Sequence, residues 1–128
     1  MLRPRVAFTL IELLIVVVII GLLAVIAIPK FQSTKGKANA AALRSDLRNL
    51  VVAEEAYFYE KAVYTSDTAA LKFRPSPGVI VTIATPAEGG WQATATHPLS
   101  YPLKCVVFSG AVATPPPPAE QEGVPACQ

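Results

Sequence analysis

The chain of 128 residues predicts an α+β fold: a long N-terminal α-helix, one half hydrophobic and one half amphipathic, packed on a small three- to four-stranded antiparallel sheet. Three observations carry this expectation. An apolar run near the N-terminus passes without a strong stop into a stretch with helical periodicity. Short β-branched segments separated by Gly and Pro fill the remainder. At this length one small domain is the most the chain can build.

The apolar run comes first. From 13 to 28 no side chain is charged or strongly polar, and 8–28 is interrupted only by Thr9 and Glu12. As a helix rising ~1.5 Å per residue, 8–28 covers ~30 Å, about one bilayer core. A secretory signal is one rival reading, with Ala24 and Ala27 ahead of Pro29 imitating a small-residue cleavage site. Its apolar core would be ~7–15 residues, and this run is longer. A plain anchor fits the length but not Glu12, because a lipid-facing carboxylate costs about 2.5–3.5 kcal/mol on insertion scales. Arg3 and Arg5 precede the run while Lys30, Lys35 and Lys37 follow it, so positive charge alone does not orient it.

From 30 to 61 the pattern turns amphipathic. Leu43, Leu47, Leu50, Val51, Glu54 and Phe58 share one helical face, and Arg44, Asp46, Arg48, Glu55 and Lys61 fall mostly off it. Gly36 weakens the helix locally without ending it. A single helix over 8–61 would rise ~80 Å, more than a small head can cover, so its apolar half must meet lipid or other subunits. The aromatic cluster Tyr57, Phe58, Tyr59 and Tyr64 is expected to pack on the sheet. A base-stacking surface would call for a dense interleaved basic patch, which this segment lacks.

The head occupies 62–128. Residues 64–73 form a connection with one short helical turn near 67–71, and RPSPG at 74–78 is turn chemistry. Strands are expected at 79–84, 91–96 and 105–112, parted by Gly/Pro-rich breaks at 86–90 and 97–102. The four consecutive prolines within 114–119 predict an extended, stiff stretch with no ladder role; as a ligand for a partner they are the lesser reading. Cys105 and Cys127 match no metal spacing. In an exported chain they would pair, closing a loop of roughly 20 residues worth ~3 kcal/mol.

Much is excluded. There is no phosphate loop, CxxC, His-rich set or nucleophile elbow, and the single histidine, His97, lies in a Thr-His-Pro turn. Asp67, Glu88, Glu120 and Glu122 do not have the spacing of a calcium loop. No catalytic, cofactor-binding or metal-ligating residue is assigned, and the chain reads as a non-enzyme. Of eleven Lys and Arg, two are Arg3 and Arg5; without residues 1–7, nine remain against nine Asp and Glu. That balance argues against nucleic acid as more than a weak partner, and removes long-range repulsion between copies.

The stretch AFTLIELLIVVVIIGLLAVIAIP, residues 7–29, resembles the N-terminus of type IV prepilins and type II secretion pseudopilins. The resemblance covers about 22 residues closely, and the long helix and small head follow the same plan. It implies that 1–7 is a leader, cut by a prepilin peptidase between Ala7 and Phe8 on the cytoplasmic face, and that Phe8 is then N-methylated. Ala7 stands where the family usually has Gly; it is small enough for processing, at a slower rate. Glu12 becomes the fifth residue of the mature chain, and Gly21 and Pro29 fall on helix-breaking positions of the family.

The physics of the motif is intelligible. A charged amine on Phe8 and the Glu12 carboxylate are each costly among apolar side chains and tolerable as a pair. Glu12 of one subunit meeting the Phe8 amine of a neighbour would set axial register in a filament. Gly21 and Pro29 weaken the helix between them, which would let it unwind on assembly.

The resemblance implies segments 1–7 (leader), 8–29 (transmembrane and assembly helix), 30–61 (amphipathic half) and 62–128 (head with a disulfide-bounded tail). Its implied partners are other copies or other pilins, the prepilin peptidase, the inner-membrane assembly platform and, before assembly, the membrane. The head would lie outside the cytoplasm and the product would be a surface pilus for adhesion, motility or DNA uptake. A type II secretion pseudopilin is the alternative; the cysteine pair and the lack of a recognisable calcium set lean towards the pilin. A single-span anchored binding module is the reading from another class, and it requires 1–7 to stay attached.

Overall fold

The computed structural model describes residues 7–84, 89–100, 102–112 and 114–128. Residues 1–6 of the expected leader, with Arg3 and Arg5, lie outside the described residues, as does most of the 86–90 break with Glu88. In order come helix α1 (Leu10–Lys61), strands β1 (Ile80–Ala84) and β2 (Gly90–Thr96), a 3-10 turn (Pro98–Ser100), and strands β3 (Lys104–Gly110) and β4 (Ala126–Cys127). The chain divides into two compact units, Met1–Lys35 and Gly36–Gln128.

The first unit is helical from Leu10. Leu, Ile and Val dominate it, and intrahelical hydrogen bonds satisfy its backbone. From Ala7 to Lys35 every residue but Ala24 is exposed. The helix runs through Gly21 and Pro29. Pro29 has no N–H, so the Val25 carbonyl lacks its intrahelical donor.

In the second unit the apolar stripe finds its sheet. Leu43, Leu47 and Leu50 are 0% exposed and join Trp91, Ala93 and Ala95 of β2 and Cys105 and Val107 of β3 in one core. The sheet is antiparallel throughout, in the order β1-β2-β3-β4. Strand β2 alternates as expected, with Trp91, Ala93 and Ala95 turned to the helix. Asn39 Nδ2 donates to Ser100 Oγ at 2.6 Å, fastening the helix to the 3-10 turn.

Strand β3 is buried on both faces. Cys105 and Val107 face the helix, while Val106 and Phe108 form a second small core with Ala119, flanked by Val112 and Ala126. The tail therefore covers the outer side of the sheet. This corrects the extended reading of the prolines. The Ala119 N–H donates to the Pro116 carbonyl at 2.9 Å, closing a turn that buries Ala119. Burial of Val106 and Phe108 outweighs the extended preference of the run.

Three further expectations are corrected. Asp46, placed off the stripe, is 3% exposed: Oδ2 accepts the Ser76 N–H at 2.7 Å and Oδ1 accepts the Ser76 hydroxyl at 2.9 Å. The 74–78 turn folds over this flank of the helix and needs an acceptor there. Tyr59 is 90% exposed and leaves the aromatic cluster. Phe58 stacks on Tyr64 at 4.5 Å, Tyr64 meets Trp91 at 6.4 Å, and Tyr57 packs on the core. Finally, β3 ends at Gly110 rather than 112. Gly110 adopts φ +75 against the Gly89 backbone, which only a residue without Cβ tolerates and which turns the chain out of the ladder.

Candidate assembly site

The N-terminus of α1 is built by two side chains. Thr9 Oγ1 accepts the Glu12 N–H at 3.3 Å, and Glu12 Oε2 accepts both the Thr9 N–H and the Thr9 hydroxyl at 2.8 Å. This is a reciprocal capping box, Thr at the N-cap and Glu three residues on, and it serves helix N–H groups that have no intrahelical acceptor. Sequence reasoning singled out Glu12 for its charge and missed Thr9. The spacing T-x-x-E ahead of an apolar run was the available signal. Within its own chain, then, Glu12 is a cap on Thr9.

Ala7 and Phe8 precede the helix in non-helical backbone, and Phe8 is 81% exposed. The peptide bond between them thus lies outside α1, in exposed non-helical backbone. Beyond the cap, α1 is long and apolar enough to cross a membrane. Gly21 and Pro29 lie within this segment, and nothing approaches within 4 Å of a Cβ placed on Gly21.

Farther along α1, Val52 and Tyr59 are exposed, as is Val63 just past its end. With Ala56, Val52 and Tyr59 follow steps of four and three, a short exposed and mostly apolar strip of α1. Cys105 and Cys127 are joined in a disulfide with a sequence separation of 22, and they face each other across β3 and β4. The Nε–H of Arg44 donates to Cys127 Sγ at 3.2 Å.

The remaining polar groups serve the fold. His97 Nδ1 accepts the Leu99 N–H at 3.1 Å, and its ring covers Gly78, whose φ of +82 shapes the turn before β1. Glu55 accepts from the Tyr64 hydroxyl at 3.2 Å and from the Ser109 hydroxyl at 3.1 Å, while Glu122 accepts the Gly110 N–H. Burial, and then the charge of Glu55, holds the Tyr64 phenol above its usual range, so it stays a donor. Among the described residues no group of three or more His, Cys, Asp or Glu is arranged to hold a metal ion.

No protein-family model matches the chain. It is 41% identical over 71 residues to the type IV major pilin protein PilA of Myxococcus xanthus, covering 56% of this chain and 32% of that protein. It is 41% identical over 69 residues to the type IV wide pilus major component PilA4 of Thermus thermophilus, covering 54% and 53%. With the type II secretion system core protein G of Pseudomonas aeruginosa it shares 31% over 70 residues, covering 55% and 49%. The chain thus spans about a third of the first relative's length and about half of the other two.

Proposed function

We propose that this type IV pilin- or pseudopilin-like chain is a structural subunit of a type IV pilus-like filament, assembled through its N-terminal helix. The single observation that carries the reading is the likeness to two pilus subunits at 41% identity. The apolar exposure of α1 supports it, because an exposed face of Leu, Ile and Val needs lipid or other copies.

In this reading residues 1–7 are removed by a prepilin peptidase between Ala7 and Phe8, and the new amine of Phe8 is methylated. Residues 8–29 hold the subunit in the inner membrane with its head outside the cytoplasm, and then line the filament. Residues 30–61 join that helix to the head, 62–128. The assembly platform of the inner membrane extracts the subunit. Glu12 exchanges its intrachain partner Thr9 for the Phe8 amine of a neighbour, which sets axial register. Gly21 and Pro29 permit the intervening turn to unwind. The subunit acts structurally and not as an enzyme.

The likeness to the secretion core protein G favours a second reading, a pseudopilin of a short periplasmic filament. The deciding experiment is the mass of the N-terminal peptide in a sheared surface fraction. A chain beginning at N-methylated Phe8 in that fraction is expected for the pilus subunit. The same chain confined to the membrane fraction would favour the pseudopilin, and an uncut Met1 would overturn both in favour of an anchored binding module. Glu12→Val is expected to leave the protein in the membrane and to lower filament incorporation at least about tenfold, since an unpaired buried amine costs several kcal/mol. Normal filament yield would reject the register role.

A further inference from the structure

The two ends of the disulfide sit in unlike surroundings. Cys105 is 0% exposed, within the core that includes Leu43, Ala95 and Val107. Cys127, on the short edge strand β4, is partly exposed and has the Arg44 guanidinium 3.2 Å from its sulfur. We propose that Cys127 is a thiol-exchange site: an external thiolate enters this bond at Cys127 Sγ alone, guided by Arg44, and forms a mixed disulfide there. The inference rests on the head and is independent of the filament reading.

Exchange requires a thiolate to reach the attacked sulfur, and its rate depends on access and on the sulfur that leaves. Core packing closes any path to Cys105 Sγ. Attack at Cys127 forms a bond from the external sulfur to Cys127 Sγ and breaks the bond to Cys105. The electron pair passes to Cys105 Sγ, which takes up a proton. That sulfur leaves into an apolar core that disfavours a thiolate. The accessible sulfur is therefore paired with the poorer leaving group, so exchange is slow and readily reversed.

Where the reagent is a dithiol, its second thiolate attacks its own sulfur in the mixed disulfide. Cys127 then leaves as a thiolate stabilised by the charge of Arg44, and the reagent departs oxidised as a cyclic disulfide. In the oxidising direction the order reverses. Cys127 Sγ attacks an external disulfide first, releasing one external thiolate and holding the other sulfur in a mixed disulfide. Cys105 Sγ then loses its proton, attacks Cys127 Sγ and expels the second external thiolate, which closes the native bond.

A fixed cation beside the reacting sulfur also discriminates between reagents, favouring an anionic thiol over a cationic one. The test uses the full chain in detergent micelles, treated with 2-mercaptoethanesulfonate or with cysteamine. Acid quench, capture of free thiols with N-ethylmaleimide and peptide mass spectrometry then locate the adduct. The folded chain is expected to carry it on Cys127 at least about tenfold over Cys105, and in concentrated urea on both about equally. Arg44→Gln is expected to lower the ratio of anionic to cationic exchange rates by about threefold or more, and Arg44→Lys to preserve it. Comparable adducts on both cysteines of the folded chain, selectivity that survives urea, or a ratio unchanged in Arg44→Gln would each overturn the proposal.

Discussion

Glu54 shows what one buried carboxyl does to the head. It is 0% exposed; Oε2 accepts the Thr65 N–H at 3.2 Å, and Oε1 has no hydrogen-bond partner among the described residues. Burial raises its pKa above the ordinary value, the Thr65 N–H opposes the rise, and the adjacent charge of Glu55 adds to it. With the folded pKa above the unfolded one, the folded head holds more protons between the two values. Its contribution to stability is full below the ordinary pKa of about 4.5 and is lost as pH rises through the folded value. Urea midpoints measured from pH 4 upward should therefore decline in the parent chain, and Glu54→Gln should flatten that decline. An unchanged slope in the variant would place the pH dependence elsewhere. At the same scale, Thr9→Ala removes the cap and should cost the start of α1 about 1 kcal/mol, read as faster amide exchange in its first turn.

At the scale of elements, α1 was the most legible part of the chain. Its apolar run and its leucines at 43, 47 and 50 follow from residue type and period alone. Asp46 was not legible, because its burial depends on Ser76, 30 residues away, folding over it. Thr9 was legible and overlooked. Strand β2 announced itself by alternation, whereas β4 is two residues long and has no period to read. Its existence depends on Cys105 and Val106 lying opposite Cys127 and Ala126. The leucine stripe carries the energetics: Leu47→Ala should destabilise the head by about 2–5 kcal/mol, seen as a lower Tm by near-ultraviolet circular dichroism of Trp91. A surface change such as Ser45→Ala should leave Tm almost unmoved.

At the scale of the whole molecule the chain combines an uncovered apolar helix with a head whose sheet is clad on both sides, by the helix and by the tail. Removing the disulfide by Cys105→Ala with Cys127→Ala should cost the head about 3 kcal/mol. It should also loosen the tail first, with Val106 and Phe108 of β3 losing their cover. Proteolysis within 114–124 at low protease is the measurement, and equal resistance in parent and variant would mean that the tail holds without the bond. The exposed apolar half of the helix could be argued from length and composition, but the tail's cover over the sheet could not, because four prolines in a row say nothing about which surface they will cross.

The two-sided cladding of β3 also sets an order in time. Val106 and Phe108 have a cover only once Val112, Ala119 and Ala126 have docked on them, so a chain that pairs β2 with β3 before its tail closes holds that face bare for a time. In that interval the half-made head presents an adhesive patch, and the speed with which the tail closes sets how long it lasts.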